Sequence, residues 1–216
     1  MIRQFGLSEI LSILAGVQST VMLSLVAFAG GGIVGLAIAL MRTSERSWLQ
    51  RIAGSYIDFF QGTPLLMQLF LVFYGLPVFG YKVGPWTAVS IGLTLHASAF
   101  LGEIWRGSIQ AVPKGQTEAA KALGLSYFNR MRDVVLPQAM RISIAPTVSF
   151  LVQLIKGTSL AAIVGFVELS RSAQMIASTT YKPLLAYGFA AIVYFIICFP
   201  LSRFSMNLEK RFQVKT

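Results

Sequence analysis

Cysteine, histidine and acidic side chains are nearly missing from this chain, and each shortage closes a class of function. Cys198 is the only cysteine, so neither an intrachain disulfide nor a cysteine metal centre can form. Inside an apolar run it reads as a small buried or lipid-facing hydrophobe. His96 is the only histidine. It has no acid four or five residues away, no serine lies in a Gly-x-Ser-x-Gly elbow, and no paired metal ligands occur. An intramembrane protease or acyltransferase needs a nucleophile and a base within reach, so no catalytic and no metal-binding residue is assigned. The phosphate-cradling pattern Gly-x4-Gly-Lys-Ser/Thr is missing as well, which removes that route to ATP binding.

Charge itself is scarce. Only 12% of residues are charged and 55% are apolar, with a mean hydropathy of +0.69, whereas soluble chains carry about a quarter charged residues. Lipid must be the solvent for most of this chain. The net charge of +10 raises nucleic acid as a partner, but the basic residues gather between apolar runs and no aromatic-plus-basic surface module accompanies them. A membrane protein with cationic loops is expected, and no nucleic-acid partner. Glu9 interrupts the first apolar stretch, no small-x-small site follows it, and Leu14-Ala15-Gly16 leads to Val17 rather than cysteine. Neither a cleaved signal peptide nor a lipoprotein anchor is expected.

A helix needs about 20 apolar residues to cross the hydrocarbon. Five segments qualify: Thr20 to Met41, Ile57 to Phe79, Trp86 to Trp105, Ile142 to Val167, and Leu184 to Phe204. Leu7 to Gly16 reads as an interfacial helix or an outward extension of the first span. The length fits one domain, residues 1–216, and no internal repeat suggests the inverted halves of many secondary carriers. Gly31 and Gly35 in the first span have small-xxx-small spacing, suited to close helix packing inside the subunit or against a second copy.

Lysine and arginine fix the orientation. Thirteen lie in residues 42–55, residues 106–141 and the tail, against four (Arg3, Lys82, Arg171, Lys182) on the other side. The positive-inside rule then places the N-terminus outside and the C-terminus inside.

The charged stretch between the third and fourth spans, roughly 110–138, is therefore cytoplasmic. Gln110 to Leu123 has helical periodicity, with Ala111, Ala119, Ala120 and Leu123 on one side and Pro113 in the first turn. Gly124 suits the helix end. A second helix, Tyr127 to Val135, follows with Ser126 as N-cap, and Pro137 ends or kinks it. A helix-turn-helix of this kind projecting from a membrane protein is placed to be gripped from the aqueous phase.

Polar residues inside the membrane usually face a bundle interior or a cavity. Span two carries Gln61, Thr63, Pro64 and Gln68, which read as pore lining or gate. Lys156, Thr158 and Ser159 interrupt the fourth run, with Gln153 one turn earlier. They suggest a break facing the translocation path, or a lysine snorkelling to the outer interface. His96 reads as a hydrogen-bonded packing residue or a substrate contact. Glu103 and Arg106, three apart, predict a local ion pair.

Together these segments carry a resemblance. The pattern Glu118-Ala119-Ala120, three residues, Gly124, nine residues, Val134, one residue, Leu136-Pro137 resembles the loop by which permeases of bacterial ABC importers dock onto their ATPase. Gln61-Gly62-Thr63-Pro64, Gly102-Glu103-Ile104-Trp105-Arg106-Gly107, Val112-Pro113-Lys114-Gly115-Gln116, Leu136-Pro137-Gln138-Ala139 and Thr158-Ser159-Leu160 extend it. The chain is similar to permeases of the polar amino acid, or histidine/glutamate/arginine, ABC uptake family. One departure is Gly157, where such permeases often carry Asp or Asn after the lysine.

The resemblance implies an all-α integral membrane subunit of an importer in a bacterial cytoplasmic (inner) membrane. Its cargo would be a polar amino acid or close derivative, delivered by an extracytoplasmic binding protein. Two ATPase subunits and a second permease copy or paralogue are the implied partners, besides lipid. No cofactor is expected in this chain, ATP being bound by the partner. Glu118, Ala119, Ala120, Gly124, Leu136 and Pro137 are the implied coupling residues. The competing reading, an ion-coupled carrier working alone, calls for mid-span carboxylates, and spans one, four and five contain none.

Overall fold

A computed structural model describes residues 4–212, with residues 211 and 212 described as backbone only. Arg3, Lys215 and the side chain of Arg211, counted in the charge asymmetry, lie outside the described part of the structure. The fold is all-helical, with no strand among the described residues: α1 (Leu7–Arg42), α2 (Ser47–Gly62), α3 (Leu65–Val78), α4 (Pro85–Gln110), α5 (Lys114–Ala122), α6 (Tyr127–Arg130), α7 (Leu136–Gly157), α8 (Leu169–Thr180) and α9 (Pro183–Phe212). Four stretches, α1, α4, Tyr127–Val164 and α9, are long and apolar enough to span a membrane. The bent pair α2–α3 brings the number to five.

The first span is one 36-residue helix from Leu7, so the stretch before Thr20 is its extension. Glu9 is buried and caps its own helix, accepting from Gly6 N–H at 3.0 Å and Ser8 Oγ at 2.8 Å. Along α1, Leu23, Ala27, Gly31 and Gly35 face α4. A Cβ on Gly31 would stand 2.5 Å from that of Ala97, and one on Gly35 2.9 Å from the Ser98 carbonyl oxygen. The small-residue stripe is thus spent inside the subunit.

Around this pair lies a core of Leu69, Leu93, Leu101, Phe150 and Leu154. Trp105 Nε1 donates to Thr147 Oγ1 at 3.0 Å and ties α4 to α7. A second core of Ile13, Leu169, Ala173, Ile176, Ala186 and Ala190 joins the N-terminal end of α1 to α8 and α9.

Several expectations need correction. The second span begins ten residues earlier than Ile57 and is not continuous: α2 and α3 meet at 103° across Thr63 and Pro64. Proline has no N–H to donate and pushes the preceding residue to extended angles, and Thr63 has φ −116°, ψ 143°. The fourth run continues past Gly157 as a 3₁₀ turn, Thr158–Val164, ending at Gly165 with φ +83°. Helix α8 was not expected. The second loop helix closes after Arg130 and passes through a π-helical turn, Met131–Val135, straight into α7. Pro137 therefore sits where the π-turn gives way to α7, and it does not end a helix.

Candidate functional site

The polar residues singled out in the membrane do not form one site. The first group is the α2–α3 break. Gln61 and Pro64 are exposed, Thr63 half-buried and Gln68 buried. Gln61 lines an open cleft of about 300 Å³ with Phe100, Glu103, Arg106, Ile142 and Pro146, between the break and the lower halves of α4 and α7. The expected Glu103–Arg106 ion pair borders this cleft; Arg106 Nε donates to Glu103 Oε2 at 2.7 Å.

Behind the cleft, the break is held by side chains. Thr63 Oγ1 donates to the Phe59 carbonyl at 2.8 Å. Gln68 Nε2 donates to the carbonyls of Phe60 at 2.7 Å and Thr63 at 3.0 Å. Its Oε1 lies 3.0 Å from His96 Nδ1. The His96 ring stacks obliquely on Phe100, with centroids 4.5 Å apart, and Phe100 stacks on Phe150 of α7.

The second group lies on α7. Gln153 and Lys156 are both exposed, three residues apart. Lys156 lines a different cleft, of about 490 Å³, with Ala191, Tyr194, Cys198 and Ser202 of α9. Thr158 is fully buried, and the hydroxyls of Thr158 and Ser159 bond to the carbonyls of Ile155 and Lys156, both at 2.7 Å. Gly157 lies against the start of α3: its absent Cβ would sit 3.2 Å from Leu65 Cδ2.

The loop between α4 and α7 forms the third candidate. In α5, Glu118 and Ala119 are exposed and Ala120 is buried. Gly124 has φ +74°, which glycine adopts freely, and turns the chain into α6, capped by Ser126 Oγ on Asn129 N–H at 3.4 Å. Leu123 and Phe128 stand 81% and 68% exposed at the tip. Val112, Val135 and Ala139 form a small core with Ile109, Met131 and Ile142 that fastens the hairpin to α4 and α7. Leu136 is half-buried beside it and Pro137 exposed. The loop also leans on the α1–α2 connection: buried Arg130 reaches Glu45 at 3.7 Å, and Tyr127 donates its hydroxyl to the Thr43 carbonyl at 3.4 Å.

At the opposite end, sequence reasoning missed Glu168. It is fully buried and caps α8, accepting from Ser170 N–H at 2.9 Å, Arg171 N–H at 2.7 Å and Tyr194 Oη at 2.9 Å. Burial pushes its carboxyl above the usual range, and the donors oppose that shift. The signal was available: an acid followed by apolar residues at Leu169, Ala173, Ile176 and Ala177 marks a capped amphipathic helix.

The sequence pattern of a family described as binding-protein-dependent transport system inner membrane component matches residues 31–214. Over 200 residues the chain is 38% identical to the probable amino-acid ABC transporter permease protein YckA of Bacillus subtilis (strain 168), covering 93% of this chain and 88% of that one. It is 39% identical over 197 residues to the L-cystine transport system permease protein TcyB of the same organism, covering 91% and 84%. A crystal structure of an amino acid ABC transporter with histidines superposes at a TM-score of 0.87, with 35% identity, over 93% of this chain and 94% of that one.

Proposed function

This chain belongs to the binding-protein-dependent transport system inner membrane component family, and from that premise we propose how its parts divide the work. It is the multi-pass permease subunit of an ATP-binding cassette importer of the amino-acid class. It is not itself an enzyme: ATP is hydrolysed by a separate ATPase chain, and a solute-binding protein belongs to the same system.

In our reading the cargo is a polar amino acid or close derivative and the membrane is a bacterial inner membrane. The N-terminus lies outside, and two permease copies (or this chain and a paralogue) meet two ATPase subunits. The α5–α6 hairpin is the handle. Glu118, Ala119, Ala120 and Gly124 lie on the part an ATPase would clasp, while Leu136 and Pro137 open the helix that receives its motion. The observation that carries this is the hairpin's character: exposed Leu123 and Phe128 at its tip, with a packed core at its base. Bare apolar side chains of that size mark contact surfaces. A core-fastened base lets α5–α6 and the ends of α4 and α7 move as one body when the ATPases close.

Gln61, Thr63 and Pro64 at the break form the gate on the inner cleft, with Gln68 and His96 behind them. Gln153, Lys156, Thr158 and Ser159 line or frame a second stretch of the path. An ammonium at Lys156 suits a substrate carboxylate.

The test is uptake by proteoliposomes holding permease, ATPase and binding protein, offered a radiolabelled panel of polar amino acids including cystine, histidine and glutamine. ATP-dependent accumulation of at least one is expected. Accumulation of none, in vesicles whose ATPase is active, contradicts the proposal.

A further inference from the structure

The bend between α2 and α3 raises a question of bookkeeping in hydrogen bonds. In an uninterrupted helix the Phe60 carbonyl accepts from the N–H four residues on, but that residue is Pro64, which has none. A carbonyl left bare inside protein costs free energy. Gln68, one turn into α3, supplies the missing donor: its Nε2 reaches the Phe60 carbonyl at 2.7 Å and the Thr63 carbonyl at 3.0 Å, with Thr63 Oγ1 at 2.9 Å. Carbonyls only accept, so the amide nitrogen must face them. That orientation turns Oε1 toward His96 Nδ1, 3.0 Å away. An amide oxygen also only accepts, so the proton of that bond belongs to the imidazole.

We propose that Gln68 and His96 are a positioning pair. Gln68 stands in for the N–H that Pro64 lacks, and His96, as its Nδ1–H tautomer, holds Gln68 in the one orientation that does so. The pair pins the break to α4, where the imidazole is itself fixed against Phe100 and, through it, Phe150 of α7. His96 at 8% exposure and Gln68 at 6% are thereby assigned to shaping the gate rather than to touching cargo. That assignment rests on the reading of the break as part of the path; the hydrogen-bond pattern does not.

The test exploits the lone histidine of the chain. The assembled complex, carrying ¹⁵N-histidine and no histidine tag, is reconstituted in lipid, and its solid-state NMR spectrum is compared with that of His96→Asn, whose subtraction leaves His96 alone. A protonated Nδ1 with a bare Nε2 is expected, and Gln68→Met abolishes that preference. Function is read in parallel from uptake of the amino acid the wild type takes from the panel. Asn presents an amide N–H where Nδ1 stood, whereas Gln presents it near Nε2. His96→Asn therefore keeps uptake within about twofold, and His96→Gln loses about tenfold or more, as for a buried bond broken with its partner left bare. A site that merely tolerates a polar residue treats the two alike.

A proton on Nε2 in the wild type, or a tautomer indifferent to Gln68→Met, overturns the pair. The expected spectrum with equal uptake in both His96 variants upholds the pair and sinks the break's part in the path.

Discussion

Adding one methyl group at Gly31 is expected to separate this account from a looser packing of α1 on α4. A Cβ there meets Ala97 Cβ at 2.5 Å, with the Ala97 carbonyl carbon and the Ser98 nitrogen both at 3.1 Å. Carbon pairs prefer about 3.5–4.0 Å, so the helices must part by about 1 Å, and none of the three atoms is the end of a flexible side chain. Overpacking of this kind costs about 1–3 kcal/mol. For a chain of this size each kcal/mol moves Tm by about 2–4 °C, so Gly31→Ala melts about 2–12 °C below an alanine variant that gains the same helix propensity without the clash.

Gly32 is the control, because its Cβ would meet only Trp105 Cη2, at an ordinary 3.6 Å. Alanine there relieves the helix of a glycine and is neutral or stabilising by up to about 1 kcal/mol. Cys198, the only cysteine and 4% exposed, supplies the assay: a thiol-reactive fluorophore reports its exposure as the purified permease is heated in detergent. Equal Tm values for the two variants would refute the close-contact reasoning.

Three further outcomes follow from the same geometry. Glu168→Ala removes the α8 cap and one acceptor of the Tyr194 hydroxyl, which keeps Ser170 Oγ at 3.2 Å, costing about 1–3 kcal/mol in the same melting assay, while Glu168→Gln, which keeps an acceptor, costs less. Because burial raises the folded-state pKa of Glu168 above its unfolded value, the native state binds the proton more readily. Its stability therefore rises as pH falls from neutral through that raised pKa and levels off below about 4.3; Glu168→Gln flattens the slope, and an unaltered slope would remove Glu168 as its source. Gly124→Pro cannot reach φ +74° and loses the N–H bond to the Lys121 carbonyl at 2.9 Å, so it abolishes substrate-stimulated ATP hydrolysis while basal hydrolysis continues; persistent stimulation would deny the hairpin its role.

Most of the spans were legible because lipid demands long apolar runs, and α4 and α9 each begin one residue before expectation, though both helices run on past the expected ends. The hairpin's turn was legible for a similar reason: Gly124 and Ser126 act locally. What escaped was decided by distant partners. Gly62-Thr63-Pro64 announces a break, but its 103° bend is set by Gln68 and by packing on α4, which no local pattern encodes. Gln61 and Lys156 line separate clefts, because α7 turns the lysine toward α9, away from the break, a direction that no local pattern encodes. Ala119, Ala120 and Leu123 looked like one apolar side, yet only Ala120 is buried, since the short core at the hairpin's base reaches no further. The π-turn at Met131–Val135 had no sequence signal beyond Pro137 itself.

Coupling to an ATPase requires that the hairpin lie on the cytoplasmic face of the membrane. Leu123→Cys, made with Cys198→Ser, puts one reactive thiol at its exposed tip. A membrane-impermeant maleimide applied to sealed vesicles of either orientation should modify it only from the cytoplasmic side, and more slowly once the ATPase is bound. Modification from the outer face would contradict that placement.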